Sequence, residues 1–526
     1  MSDRTRVAPT GSFFKVFMSC QAHDWQKSFE DRRPWPAELL VFRAGTLGQL
    51  LEELERCRKL LDGSEACSLA ELSFASWQIA CQRLSEACAA HGADWLPTVA
   101  IVARSGAEAA EKLRQACGLV AELQRGPPSG APDRPAAMGV EACSGRWYRL
   151  PRAQAIYFAE KPMLADGKLA ALFPGQGVQQ PGMFAQLASA FPPLGECLRQ
   201  SDRLLEGRIA RPLCGYVCEA PQMTSEQRRR WAELFRQAEL AQPLMAAACM
   251  GMFRLLERLG LRPAMFAGHS FGEHVALCAA GAIDYQDLIL LAYRRGVALM
   301  EAAAARPGGM MAVASDAETC RRVLAECSDV AIAAINAPRQ VVISGTAEAL
   351  AQAERALAAQ RIAAERLEVA GPFHCGLMSS ARPAVAKALR QCRVSRPVVP
   401  VWSNITTAPI PDEPSQVAQM MLEHTTAPLR FAEQIENMYS AGARVFVEIG
   451  PQNVLCRLVG RILRGLPHLA IATHIAGVDE LVQLQNALAQ LLVAGAALQL
   501  DYLYQLRGVA SVPAGRDPGC ALHRLK

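Results

Sequence analysis

The chain has 526 residues, of which 51% are apolar and 20% are charged. This composition predicts an ordered protein, and the length predicts two to four folded units rather than one. The net charge of only +5, without an aromatic-basic repeat, argues against a nucleic-acid-binding protein.

The cysteines and the apolar segments indicate the compartment. The 18 cysteines are scattered and the N-terminal sequence lacks the long apolar stretch of a signal peptide, so we expect a cytoplasmic protein with free thiols. Cys214 and Cys218 form an isolated CxxxC pair, which predicts no metal site. Apolar segments such as 484–499 are too short or too interrupted to cross a bilayer, so no membrane association is expected.

The first part of the chain predicts a small α/β domain over residues 37–165. Residues 1–36 have no clear period and form an extension without an assigned role. Apolar runs and helical spacing predict the elements that follow: a strand from Glu38, helices over 46–61 and 69–90, a strand over 97–103 and a helix over 106–123. The Pro- and Gly-rich segment 125–139 predicts an exposed loop.

A larger α/β domain is predicted over residues 166–478, because long helical patterns alternate there with short apolar strands. Its first strand, KLAALF from Lys168, runs directly into the sequence PGQG. Residues 309–369 follow the order strand, helix, strand, strand, helix, strand, which indicates an inserted ferredoxin-like subdomain. Residues 479–526 predict one apolar helix and a polar tail.

The strongest catalytic signal is Gly-His-Ser-Phe-Gly at 268–272, which lies between a short apolar strand and a helix. In a GxSxG elbow the two glycines allow a tight turn that leaves the serine hydroxyl exposed. The following helix directs its amide-rich end at the serine, where negative charge would develop. This context predicts that Ser270 is a nucleophile rather than a structural turn residue.

A nucleophilic serine needs a base, and the residues alone leave several histidines open. His269 and His274 flank the elbow, but adjacency in sequence does not bring an imidazole to the hydroxyl. His374, in VAGPFHCGLM, follows a strand and opens a new segment, which favours it as a projecting base. The alternative for His374 is an ordinary, partly buried histidine.

Two more motifs have both a plain and a functional interpretation. FPGQG at 173–177 follows a strand, and its glycines would let backbone amides approach a ligand, although a simple strand-end loop has the same pattern. Arg294 and Arg295 lie on a helix after the elbow, and on composition alone both would be solvated.

Together these motifs resemble the malonyl-CoA:acyl-carrier-protein transacylase family, which includes the acyltransferase domains of polyketide and polyunsaturated-fatty-acid synthases. The resemblance covers about 168–475 in order: FPGQG, GHSFGEH, RRGVALM, GGMMAV, NAPRQVVISG, GPFHCGLM, VWSNITT and FVEIGPQNVL. It implies an α/β-hydrolase-like acyltransferase core with an inserted ferredoxin-like subdomain. Residues 38–165 resemble the linker domain that precedes the acyltransferase in such synthases.

The resemblance also implies roles for individual residues. Ser270 matches the nucleophile and His374 the general base. Gln176 and Phe271 match the positions whose backbone amides form the oxyanion hole. Arg295 matches the residue that binds the free carboxylate of a malonyl group, for which the planar guanidinium is suited because it offers two parallel hydrogen bonds.

Three further positions are implied near the substrate. Phe373, directly before His374, matches the pattern of malonyl-selecting members, although GPFH departs from their common HAFH in its first two residues. Asn336, in NAPRQVVISG, is assigned to substrate binding. His424 stands where the family usually has Gln or Asn, the residue whose main-chain carbonyl supports the catalytic histidine.

The implied activity is ping-pong transfer of malonyl from malonyl-CoA to the phosphopantetheine thiol of an acyl carrier protein. No cofactor is implied beyond the CoA thioester and the phosphopantetheine of the partner. The chain has no ketosynthase or carrier-protein motif, so other synthase subunits such as a ketosynthase are expected as partners. Two alternatives remain, namely an acyl hydrolase of the same fold and a catalytically idle docking piece of a synthase.

Overall fold

The computed structural model describes residues 34–63, 68–92, 94–125, 141–142, 147–149, 155–218 and 223–509. The extension at 1–36 lies outside these residues except for its last three. The predicted loop at 125–139 lies outside them except for its first residue, and so does the polar tail beyond Val509.

The N-terminal domain is a five-stranded antiparallel sheet with helices on both faces. Its strands are β1 (Glu38–Arg43), β2 (Thr98–Ala103), β3 (Glu141–Ala142), β4 (Trp147–Arg149) and β5 (Ile156–Ala159), in the order β1-β2-β5-β4-β3. Its helices are α1 (Leu47–Gly63), α2 (Leu69–His91) and α3 (Gly106–Arg125). Every residue of β1 and β2 is buried. This explains why the sequence of both strands is a nearly continuous apolar run rather than an alternation of apolar and polar residues.

Nine strands follow in the rest of the described chain. They are β6 (Lys168–Phe173), β7 (Met265–Gly268), β8 (Gly308–Val313), β9 (Val330–Ala337), β10 (Gln340–Thr346), β11 (Ala364–Arg366), β12 (Val401–Trp402), β13 (Ala443–Glu448) and β14 (Leu469–Ala472). Five of them form a parallel sheet in the order β12-β7-β6-β13-β14. Strands β8 to β11 form a separate antiparallel sheet in the order β11-β8-β10-β9, which confirms the ferredoxin-like subdomain.

The helices of this second part surround the parallel sheet and complete the subdomain. They are α4 (Ala185–Ala190), α5 (Pro192–Leu204), α6 (Leu213–Cys218), α7 (Ser225–Phe235), α8 (Ala238–Arg258), α9 (Gly272–Ala279), α10 (Tyr285–Ala305), α11 (Ala317–Val323), α12 (Ala347–Ala359), α13 (Arg382–Leu389), α14 (Pro414–Glu423), α15 (Phe431–Ser440) and α16 (Val454–Ile462). Within the described ranges, no helix has the length and apolarity needed to cross a bilayer.

The C-terminal region contains two helices, α17 (Glu480–Ala494) and α18 (Asp501–Arg507), rather than the single helix expected. Both return to the N-terminal domain. The Tyr157 hydroxyl of β5 donates to Asn486 Oδ1 of α17 at 3.0 Å, and Tyr504 of α18 hydrogen-bonds Ser73 Oγ of α2 at 2.9 Å. One apolar core therefore runs from the first sheet, through α17, into the second.

Candidate active site

Ser270 lies in a tight turn at the carboxyl end of β7. Its φ is 54°, in the left-handed region that side-chain-bearing residues rarely adopt. A Cβ on Gly268 would lie 2.0 Å from the Gly272 carbonyl carbon, and one on Gly272 would lie 2.0 Å from the Phe173 oxygen. Both glycines are therefore required by close backbone approach, as a nucleophile elbow demands.

Asn404 supports this turn from the loop that follows the neighbouring strand, β12. Its Oδ1 accepts from the Ser270 N–H at 2.9 Å, while its Nδ2 donates to the Gly268 carbonyl and to Gln434 Oε1, each at 2.7 Å. The motif VWSNITT contains Asn404, but nothing in the sequence pointed to this role. The available signal was its place directly after a strand, where the loops of a parallel sheet converge.

His374 is the histidine that reaches the serine hydroxyl. Its Nε2 lies 2.7 Å from Ser270 Oγ, and its φ of 57° is also in the left-handed region. The preceding residue, Phe373, is buried, and its carbonyl accepts a hydrogen bond from Ser344 Oγ at 2.6 Å. This bond ties the histidine segment to β10 of the ferredoxin-like subdomain.

The two histidines that flank the elbow are directed elsewhere. His269 Nε2 is 2.7 Å from Asn336 Oδ1, so Asn336 contacts the elbow through this ring. His274 is buried, and neither of its ring nitrogens has a hydrogen-bond partner. Of these three histidines, His374 is therefore the one that pairs with Ser270.

The environment of His374 keeps its imidazole neutral. Burial lowers the pKa of His374 to about 3, and the charge of Arg295 and the proximity of His269 lower it further. The main-chain carbonyls of Ala427 and His424 act in the opposite direction and raise the pKa of His374. Their contacts with Nδ1 of His374 are too long or too bent to count as hydrogen bonds. At neutral pH the ring is thus an unprotonated acceptor beside the Ser270 hydroxyl.

His424 lies within a buried cluster behind the base. Its ring centroid is 5.5 Å from that of His374 and 5.3 Å from that of His274, with nearly perpendicular planes. Its Nε2 is 3.8 Å from a carboxylate oxygen of Glu273. Burial raises the pKa of Glu273 to about 8 and lowers the pKa of His424 well below its ordinary value, so both groups are uncharged at neutral pH.

Arg295 is a buried cation, not the solvated side chain that composition alone favours. It is 2% exposed, its Nη1 donates to Gln242 Oε1 at 2.9 Å, and its Nε has no partner. Burial lowers its pKa to about 10, and no carboxylate among the described residues offsets this. An unpaired buried guanidinium is costly to maintain, which favours a site for an anionic ligand.

The loop after β6 lies directly against the elbow. A Cβ on Gly175 would lie 2.6 Å from the His269 oxygen and 3.1 Å from Ser270 Cβ. Gln176 follows, and its Oε1 accepts from Gln242 Nε2 at 2.9 Å. The same Gln242, unremarked in the sequence, thus contacts both Arg295 and the loop.

Phe271 lies at the start of α9, where N–H groups lack partners within the helix. Gln176 and Phe271 therefore lie on the two segments that meet at Ser270.

Comparison with known proteins identifies the family. Residues 171–497 match the family model of the acyl transferase domain. The chain belongs to the acyl transferase domain family. The match begins in β6 and ends just beyond α17, so it contains every site residue described above.

Individual members of this family give the same result. The malonyl CoA-acyl carrier protein transacylase of Bacillus subtilis is 32% identical over 313 residues, which are 58% of this chain and 93% of that protein. One chain of the polyunsaturated fatty acid synthase of Thraustochytrium is 31% identical over 369 residues, 67% of this chain but only 13% of the synthase chain. The acyl transferase domain of ZmaA shares the fold over 92% of this chain and 99% of its own, with a TM-score of 0.72 at 21% identity.

Proposed function

We propose that this acyltransferase moves a malonyl group from malonyl-CoA to the phosphopantetheine thiol of an acyl carrier protein. One observation carries the choice of acyl group: Arg295 is a buried cation without an acidic partner among the described residues, and its charge acts on His374. A malonyl thioester brings the missing carboxylate. The B. subtilis relative, which this chain covers over 93% of its length, bears the name of this activity.

The first half-reaction forms an ester on Ser270. His374 Nε2, 2.7 Å away, accepts the hydroxyl proton as Oγ attacks the thioester carbonyl. The backbone N–H groups of Gln176 and Phe271 would stabilise the resulting oxyanion. The tetrahedral intermediate collapses with loss of the CoA thiolate, which takes the proton from His374.

The second half-reaction transfers the group to the carrier. His374 accepts the proton of the phosphopantetheine thiol, and the sulfur attacks the Ser270 ester. Collapse breaks the bond to Oγ and returns the proton to Ser270. This chemistry uses no cofactor other than the CoA thioester and the carrier's phosphopantetheine.

The setting of the reaction follows from the same proposal. Carrier proteins are usually acidic, which suits the mildly basic chain, with its net charge of +5. Fatty-acid or polyketide synthesis requires a condensing enzyme to consume the product, so a ketosynthase is a proposed partner in the cytoplasm. Phe373, buried beside His374, would close the pocket around an unbranched malonyl group.

Mass spectrometry of the intact protein tests the proposal. Malonyl-CoA should add one malonyl mass to the wild type and none to Ser270→Ala. Ser379→Ala, which alters an exposed serine that bonds only within its own turn, is the matched control and should label fully. Equal labelling of Ser270→Ala would refute the proposal.

Addition of a carrier protein separates transfer from hydrolysis. A transferase moves the label to the carrier thiol, whereas an acyl hydrolase releases free malonate without labelling the carrier. An idle docking protein would form no acyl-enzyme with any acyl-CoA. Only the first result agrees with the proposal.

A further inference from the structure

Gln452 has an unfavourable backbone conformation in the loop after β13. Its φ is 65°, a region in which glycine is unstrained and a glutamine is not. Its N–H donates to His474 Nδ1 at 2.9 Å. A residue stays in such a conformation where the surrounding structure holds it there.

The side chain of Gln452 makes a second hydrogen bond. Its Nε2 donates to the Val178 carbonyl at 2.8 Å. Val178 belongs to the segment 174–180, called the oxyanion loop below, and lies two residues after Gln176. Strands β13 and β6 are neighbours in the parallel sheet, so the loops at their carboxyl ends lie side by side.

The other side-chain hydrogen bonds of the oxyanion loop are also made by amides. Gln242 Nε2 donates to Gln176 Oε1 at 2.9 Å. Gln179 accepts from the Gly177 N–H at 2.7 Å and donates to the Phe235 carbonyl at 2.7 Å. The loop has no ladder hydrogen bonds of its own beyond the end of β6, so these amides fix its position.

We propose that Gln452 is a positioning residue that holds the oxyanion loop in register with Ser270, so that the Gln176 N–H meets the developing oxyanion. The inference rests on the oxyanion role in the proposed function, but not on the identity of the acyl group. Gln452 does not touch the reacting atoms, and it acts through the Val178 carbonyl.

Gln452→Gly separates this role from a structural one, because glycine relieves the backbone strain while it removes the amide. The melting temperature should stay close to that of the wild type, because relief of the backbone strain offsets the greater chain entropy of glycine and the lost hydrogen bond. The rate of Ser270 acylation should fall about 10-fold, less than the loss from deleting an oxyanion donor outright, while KM for malonyl-CoA should stay within about twofold. Gln452→Glu, which cannot donate to the carbonyl, should show the same loss of rate.

The rate should be measured with two probes. One is malonyl-CoA, and the other is a fluorophosphonate, whose phosphoryl oxygen must enter the oxyanion hole. If the wild type reacts with the fluorophosphonate but not with malonyl-CoA, the proposed malonyl transfer fails and the role of Gln452 can still be tested.

The matched control is Arg361→Gly, at an exposed position with φ 56° that is far from the loop in sequence and lies in the ferredoxin-like subdomain. It should relieve similar strain and leave both rates unchanged. The proposal is overturned if Gln452→Gly reacts with the fluorophosphonate at the wild-type rate. It is equally overturned if the rate falls only in step with a lowered melting temperature, since that would mark a purely structural residue.

Discussion

Replacement of Arg295 by methionine tests the proposed selectivity most directly. Methionine keeps much of the volume in the core of α10 and removes the charge. The substitution removes one internal hydrogen bond, to the neutral side chain of Gln242, so the variant should fold. Its acyl-enzyme chemistry should change because the malonyl carboxylate would enter an apolar site without a cation.

The expected size follows from the burial of Arg295, which is 2% exposed. Removal of one partner of a buried ion pair costs about 3–5 kcal/mol, because the remaining charge is left uncompensated. At about 1.4 kcal/mol for each factor of ten, this predicts a loss of roughly 10²- to 4 × 10³-fold in kcat/KM for malonyl-CoA. Acetyl-CoA has no carboxylate to lose its partner, so its kcat/KM should stay constant or rise.

The assay is single-turnover acylation of Ser270, followed by intact-protein mass spectrometry with malonyl-CoA and acetyl-CoA in parallel. Arg294→Met, one residue earlier on the same helix and half-buried, is the matched control and should keep the wild-type preference. If Arg295→Met retains the wild-type ratio of malonyl to acetyl rates within about threefold, the carboxylate-binding role is refuted.

Three other changes have defined outcomes. Asn404→Ala removes the acceptor of the Ser270 N–H and two donor contacts, so thermal unfolding should show a loss of about 2–3 kcal/mol and acylation should slow. Burial lowers the pKa of His374 and of His424 in the folded protein below the unfolded value of 6.5. Below pH 6.5 the unfolded chain therefore binds protons that the folded protein does not, and the free energy of unfolding, which is at its full value above pH 6.5, falls with the pH. His424→Gln should therefore flatten the fall in melting temperature between pH 6.5 and 4, and an unchanged slope would contradict this. Tyr504→Ala should lower the free energy of unfolding in urea by about 3–5 kcal/mol, because the Tyr504 ring stacks on Phe74 of α2 with ring centroids 4.4 Å apart. The reactivity of Ser270 should stay intact.

The features that depend on neighbouring residues in the chain could be predicted from the sequence. The predicted strand KLAALF has the same bounds as β6. The helix predicted over 69–90 is Leu69–His91 in the structure, because a capping box at Ser68 defines its start and a left-handed Gly92 defines its end. The turn at Ser270 was predictable for the same reason, since both of its required glycines lie within two residues.

The features that depend on contacts between distant segments could not be predicted in this way. Asn404 supports the elbow across 134 residues, and Gln242 contacts Gln176 across 66. Neither has a local pattern that distinguishes it from any other amide side chain. The burial of Arg295 was likewise hidden, because a helix of mixed composition does not show which arginine faces the core; only the family resemblance singled it out.

The return of α17 to the first sheet also determines the order in which the protein can mature. Of its 15 residues, 13 are buried, and several pack on the face formed by Leu39, Val41, Ala100 and Val102. A ribosome that adds 5–20 residues per second needs roughly 20 to 80 s to pass from β2 to the end of α17. Until then this apolar face is covered only in part, by α2, and exposed apolar surface of this kind makes a partly folded chain prone to aggregate. The N-terminal domain described above is thus completed only after α17 has been synthesised.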